Sequence, residues 1–290
     1  MESLSMNVAV RAAARRWAIG LAAAVLLGAS GPAVAAPKAV TTETGPSADA
    51  AGATDASTST TDDPATATTP TDPADDGVVP RAPNRKVSYA AQLVAPTVVR
   101  KRPANRAKGI KKLQPYGSWN GGPVVLSIAQ VKVIDGVRWL RVRLPIRPNN
   151  STGWVPEANV AVSKLRYRVE VSRAKHTVTL LRDGKKIASS RVVVGAPATP
   201  TPAGTFAVLE VVRQPKGSIL GPFALHLTAH SDVLDNYGGG PGRVALHGRS
   251  GGLLNDPLGT SRSHGCIRMP NSFVRKLAKV AVEGTPVTIR

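Results

Sequence analysis

Ser263-His264-Gly265-Cys266-Ile267-Arg268-Met269 contains the only cysteine of the 290-residue chain and one of its five histidines. A lone thiol cannot close an internal disulfide. It is then either a small buried apolar group or a reactive one. The nearest histidine upstream of the stretch is His247, in Val244-Ala245-Leu246-His247-Gly248, 19 positions before Cys266. That spacing suits a strand that ends, a long loop, and a return beside the same strand. The thiol is therefore expected beside the strand that carries His247.

The residue types around Cys266 suit nucleophilic chemistry. Thiolate is the reactive form, and a free cysteine titrates near 8.5. A base is needed near neutrality, and His247 supplies one if its strand runs beside the Cys266 turn. Gly265 permits a turn that other residues resist. It also lets a substrate carbonyl approach the backbone, where the N–H groups of Gly265 and Cys266 are candidate oxyanion donors. Arg268 and Arg249 are cationic donors suited to a substrate carboxylate.

The net charge of +20 divides unevenly. Residues 36–84 carry two basic and eight acidic side chains, and residues 85–290 carry 33 basic and nine acidic ones. A basic body on an acidic tether is drawn to polyanions. Residues 1–35 read as an export signal. Arg11, Arg15 and Arg16 precede an apolar run from Trp17 to Leu27, and Ala33-Val34-Ala35 offers a small-residue cleavage site. The run is shorter than the roughly 20 residues of a bilayer span, so no stable span is expected once the signal is removed. Retention as an N-terminal anchor is the alternative. An unpaired cysteine in an exported protein is a liability unless it is used.

Residues 36–84 are Ala, Thr, Pro, Asp and Ser with almost no large apolar side chain, which predicts a disordered linker. It serves either as reach or as a tolerated spacer. From 85 to 165 short β-type runs alternate with turns, among them Val94–Val99, Val124–Ile128, Gln130–Ile134, Trp139–Leu144 and Gly153–Val155. Asp135-Gly136 is a hairpin signal. The expectation is a small barrel or roll, and Trp139–Arg143 followed by Thr152–Val155 resembles bacterial SH3-like wall-associated modules. Such a module either binds wall polymer or packs without a ligand.

From 166 to 290 the alternation is more regular. Runs at Tyr167–Val171, His176–Leu181, Ile187–Val194, Thr205–Val212, Phe223–Leu227, Arg243–His247 and Pro286–Ile289 predict strands. Asp183-Gly184 predicts a tight hairpin. Ser272–Val282 places Phe273, Leu277 and Val280 on one helical face, with Asn271 as the expected cap. The fold class is mainly β: a sandwich with one late helix, preceded by the small β module.

His247, a gap of 15 residues and Ser263-His264-Gly265-Cys266 together resemble the active-site signature of the L,D-transpeptidase catalytic domain (the YkuD type). The stretches Val194-Gly195, Thr199-Pro200-Thr201-Pro202-Ala203-Gly204-Thr205-Phe206 and Gly221-Pro222-Phe223-Ala224-Leu225 agree with it, and the resemblance spans residues 166–290. It implies that Cys266 attacks a peptidoglycan tetrapeptide stem, releases D-alanine, holds a thioester and passes the acyl group to an amine, giving a 3→3 cross-link. It implies His247 as the base, held by the carbonyl of Gly248, and His264 beside the oxyanion site with Gly265. Arg268, Ser263, Arg249 and Gly248 are the implied substrate contacts, although many members carry Asn at the position of Arg268. Hydrolysis of the same acyl-enzyme (L,D-carboxypeptidase) and attachment of a protein amine to the wall are the alternatives, and a non-catalytic wall-binding protein is the remaining one.

The resemblance also implies acylation by carbapenems, no cofactor, no metal, and a location outside the cytoplasm at the cell wall. Expected partners are stem peptides and anionic wall polymers, not nucleic acid. His226-Leu227-Thr228-Ala229-His230 spaces two histidines as a zinc helix does, but it lacks the glutamate of a metalloprotease motif and reads as strand. Gly238-Gly239-Gly240-Pro241-Gly242 reads as a rim loop at the site, not as a phosphate cradle.

Overall fold

The computed structural model describes residues 82–117, 121–237 and 240–290. The expected export signal, nearly all of the linker, and Gly238 and Gly239 lie outside them. The structure is mainly β, with a single α-helix among the described residues.

Residues 88–165 form seven strands: β1 (Ser88–Leu93), β2 (Thr97–Arg100), β3 (Gly109–Leu113), β4 (Val125–Ile134), β5 (Val137–Arg143), β6 (Thr152–Pro156) and β7 (Val160–Leu165). Their order is β3-β2-β6-β5-β4-β1-β7. Asp135-Gly136 makes the β4–β5 turn with φ of 49° and 74°, the left-handed pair that a two-residue hairpin requires. The expected run Val94–Val99 is broken instead: β1 ends at Leu93 and β2 begins at Thr97. Pro96 lies in the gap, where its missing N–H costs no ladder bond. Two runs read as separate are one strand, β4, with a bulge between Ile128 and Gln130. Alternate residues of this sheet bury a core of its own, including Leu93, Leu126, Ile128, Leu140 and Val155.

Residues 167–289 form β8 (Tyr167–Ser172), β9 (Thr177–Arg182), β10 (Lys185–Arg191), β11 (Val194–Gly195), β12 (Gly204–Arg213), β13 (Phe223–His230), β14 (Arg243–His247), β15 (Ser261–Ser263), β16 (Ile267–Arg268), α1 (Asn271–Ala278) and β17 (Pro286–Ile289). Eight of them make one ladder, β10-β9-β8-β17-β12-β13-β14-β16. β12 is the hinge of this ladder. Its first half, Gly204–Ala207, pairs with β17, and its second half, Val208–Arg213, pairs with β13 across a bulge. One core joins side chains from both ends of the ladder, such as Val169, Val178 and Leu180 with Leu225, Leu246 and Ile267.

The helix is shorter than its periodicity suggests. α1 stops at Ala278, where Lys279 ends the helix. It buries Phe273, Val274 and Leu277 against the core, at roughly 1.5–3 kcal/mol for each fully buried side chain. Asn271 is its first residue and makes no cap bond. Its amide is used elsewhere, on the segment after His247.

The two sheets belong to one compact unit. Polar bonds join them: Arg143 donates to the Thr205 carbonyl at 2.9 Å, and Asn150 Oδ1 accepts the Thr205 N–H at 3.0 Å.

Candidate active site

β14 and β16 run parallel, with Leu246 opposite Ile267 and His247 opposite Arg268. Side chains alternate along a strand, so the pair Leu246 and Ile267 faces the core, where both are fully buried. His247 and Arg268 then face the other way. One step back, the same alternation carried just past the start of β16 puts Ala245 and Cys266 on that face. Cys266 and His247 are thus diagonal neighbours on one surface. The charge of Arg268 acts on both, and the Ala245 backbone lies near enough to the thiol to oppose the rise in its pKa.

His247 is 2% exposed and its Nδ1 lies 2.7 Å from the Gly248 carbonyl oxygen. A carbonyl only accepts, so Nδ1 carries the hydrogen, and in the neutral ring Nε2 carries none. Burial pushes the imidazole pKa down to about 4 against the pull of the Gly248 carbonyl and, more weakly, the Leu220 backbone, and the nearby Arg268 and His226 add to the lowering. The ring is therefore neutral at pH 7. Burial likewise pushes the Cys266 thiol above its ordinary value, opposed by the Ala245 backbone and by Arg268. Its surroundings are dense, yet the residue keeps a part-exposed surface. At neutral pH the resting pair is thiol and neutral imidazole.

The turn that carries Cys266 is held from outside and from within. Gly265 has φ of 109°, a backbone that L side chains resist. The Ser263 hydroxyl accepts from the Gly265 N–H at 3.1 Å and donates to the Cys266 carbonyl at 2.6 Å. Of the two expected oxyanion donors, the Gly265 N–H is therefore already committed. Ser263 is 1% exposed, with its hydroxyl spent inside the turn. From outside, the loop after β11 grips the turn. The Ser263 carbonyl accepts from Ala196 N and Thr199 Oγ1, and Thr201 Oγ1 donates to the Gly265 carbonyl at 2.8 Å while accepting the Gly195 N–H at 2.8 Å. In a planar trans peptide the carbonyl and the next N–H point opposite ways. Holding the Gly265 carbonyl toward Thr201 sends the Cys266 N–H the other way, and that N–H bonds to no described residue.

The remaining expected residues fall in three places. Arg268 is buried, with NH1 on Asp256 Oδ2 at 2.5 Å. Arg249 is half-buried and donates to the Asp256 backbone carbonyl at 2.6 Å. Both guanidinium groups are thus tied to Asp256, beside the site. The acid makes no hydrogen bond to His247, whose orienting group is the Gly248 carbonyl. Asn271 clasps Arg249 at both its N–H and its carbonyl, and a side chain at Gly248 would collide with the Asn271 amide. His264 is exposed, on the rim, stacked on Tyr237 with ring centroids 5.3 Å apart.

Several residues of this site carried no signal in the sequence reading. Tyr237 lacks a motif. His226 reads as half of a rejected zinc pair, but it stands opposite Ala245 on β14 and opposite Glu210 on β12. His176 bonds Ser261 Oγ at 2.8 Å, under the β11–β15 pair.

Comparison with known proteins agrees with the signature. Residues 166–289 match the family model described as the L,D-transpeptidase catalytic domain. The YkuD proteins of Bacillus subtilis and Bacillus licheniformis are each 33% identical over 125 residues, which is 42% of this chain and 65% of theirs. The chain thus spans slightly less than two thirds of these relatives. Among solved structures, L,D-transpeptidase 3 from Mycobacterium tuberculosis in complex with a faropenem-derived adduct aligns at 16% identity, over 56% of this chain and 97% of that one, with a TM-score of 0.36.

Proposed function

We propose that the protein is a peptidoglycan L,D-transpeptidase working through a Cys266 thioester. The observation that carries the reading is the shared face of Cys266 and His247, with the imidazole held neutral and its Nδ1 hydrogen on the Gly248 carbonyl. Sulfur attacks the carbonyl joining an L-configured centre of a diamino acid to D-alanine, and His247 takes the thiol proton. The C–N bond breaks, His247 returns the proton to the leaving amine, and D-alanine departs. An amine of a second stem then attacks the thioester. It forms the new amide, and the thiolate recovers a proton. The Cys266 N–H is the donor available for the oxyanion in both halves.

The setting of this chemistry is extracytoplasmic, at the wall. Among the described residues no helix is long and apolar enough to cross a membrane. The hairpin of β2 and β3 supports an anionic polymer as the second partner. Lys101, Arg102, Arg106, Lys108, Lys111 and Lys112 are all exposed there, and none pairs with a described carboxylate. The chain has no Asp or Glu from 82 to 134.

The test is incubation with purified tetrapeptide stems and mass analysis of the products. Cross-linked dimer with released D-alanine supports the transpeptidase. Tripeptide alone indicates transfer to water, and unchanged stems contradict both.

A further inference from the structure

The loop between β13 and β14 bears Tyr237, which covers His264 at the mouth of the site. What holds that loop comes from the other sheet. Arg147 lies between β5 and β6, in the first module. Its NH1 donates to the Pro241 carbonyl at 3.0 Å, and its NH2 donates to the carbonyls of Ser231 and Leu234 at 3.0 and 2.9 Å. One planar guanidinium thus ties the two ends of the loop together, which a point-charge ammonium cannot do in the same geometry. Asn149 adds a reciprocal pair with the backbone of His230, at 2.7 and 2.9 Å, and donates to Asp232 Oδ1 at 2.7 Å. A side chain at Gly242 would strike the Leu234 carbonyl, so the loop closes on itself just where Arg147 grips it.

These contacts are directional and converge on one loop. The Arg147–Asp235 ion pair adds little, because Asp235 is almost fully exposed. The carbonyl bonds carry the attachment. We propose that the first module is a positioning element of the active site: Arg147 and Asn149 fasten the rim loop that sets Tyr237 over His264. The module contributes no reacting atom. It fixes the wall of the cleft into which the substrate must fit. This inference rests on the acyl-transfer reading of Cys266.

The experiment uses the full chain and the variants Arg147→Ala, Arg147→Lys and Arg147→Ala with Asn149→Ala. Hydrogen–deuterium exchange is followed on amides 231–237. Acylation by a carbapenem is resolved into its saturation constant and its limiting rate, and iodoacetamide alkylation of Cys266 reports the thiol itself. The double variant is expected to speed exchange in 231–237 by at least about tenfold and to raise the saturation constant by about five- to tenfold. The limiting rate and the alkylation rate stay within about twofold, because the carbonyl bonds act on the rim and not on the sulfur. Arg147→Lys falls on the side of Arg147→Ala.

Unchanged exchange with an unchanged saturation constant overturns the inference. So does an alkylation rate that falls with acylation, since the variant then acts on the thiol or the whole fold. No carbapenem adduct on the unmodified protein would instead refute the acyl-transfer reading, and the exchange data would still decide whether the module holds the loop.

Discussion

Thr201 Oγ1 donates to the Gly265 carbonyl, 64 residues away in the chain, and by doing so aims the Cys266 N–H. Thr201 is 1% exposed and accepts the Gly195 N–H with the same oxygen. Thr201→Val keeps the shape and deletes both bonds. Removing an oxyanion donor outright costs about 10²–10³ in rate. A misaimed donor is expected to cost about 10- to 100-fold in carbapenem acylation, while iodoacetamide alkylation of Cys266 changes less than about threefold. Thr201→Ser restores most of the rate. Equal losses in both reactions would mean that Thr201 supports the fold and not the donor.

The protonation states give a pH signature. The thiol stands above its ordinary value and His247 below its own, so thiol and imidazole are both neutral near pH 7. Alkylation of Cys266 is expected to climb with pH beyond about 8.5, the ordinary thiol value. A plateau beginning near pH 6, the mark of a thiolate–imidazolium pair, would contradict this.

Stability should depend on pH with a definite sign. His247 and His230 are held at about 4 in the folded chain, and His226 is lowered too, each chiefly by burial. The unfolded chain then binds more protons than the folded one between about pH 6.5 and 4. The contribution of these residues is complete above the unfolded value and is lost as pH falls through that window. Urea midpoints measured from pH 8 to 4 should fall mainly below 6.5. His247→Gln should flatten part of the decline.

Asp256 holds Arg268 beside Cys266 and His247. Asp256→Asn leaves a buried guanidinium less compensated, at a cost of roughly 1–3 kcal/mol, read from denaturant midpoints. The freed positive charge also favours thiolate, so the alkylation profile of Cys266 shifts to lower pH. An unshifted profile would show that Arg268 does not reach the thiol electrostatically.

The basic hairpin makes a separate claim. Replacing Lys101, Lys108, Lys111 and Lys112 by Gln should weaken retention on an anionic phosphodiester polymer and flatten the salt dependence of binding. Acylation of Cys266 should be unchanged. Retention that persists with the same salt slope would place the polyanion contact elsewhere.

Much of the fold could be read locally. Asp135-Gly136 and Asp183-Gly184 are both hairpin turns with positive φ, and Arg243–His247 and Pro286–Ile289 are strands with the expected bounds. These depend on turn chemistry and side-chain alternation within a few residues. That the Cys266 turn lies beside the strand of His247 was also legible, from a spacing that suits a strand, a loop and a return, and from the resemblance that paired the two residues. Thr201 on Gly265, Asn149 on His230 and Tyr237 on His264 were not. Each joins segments brought together only by strand order and register, with no periodicity to announce it. Asn271 shows the same limit. Its position before a helix suggests a cap, but the nearby Arg249 backbone captures its amide.

The central claim is that Cys266 is the acylated group. The direct measurement is intact and peptide-level mass spectrometry after incubation with tetrapeptide stems or a carbapenem, on the unmodified chain and on Cys266→Ala. The account predicts one acyl adduct, mapped to the peptide containing Ser263–Arg268, and none on the folded alanine variant. An adduct of the same mass on Cys266→Ala would contradict it.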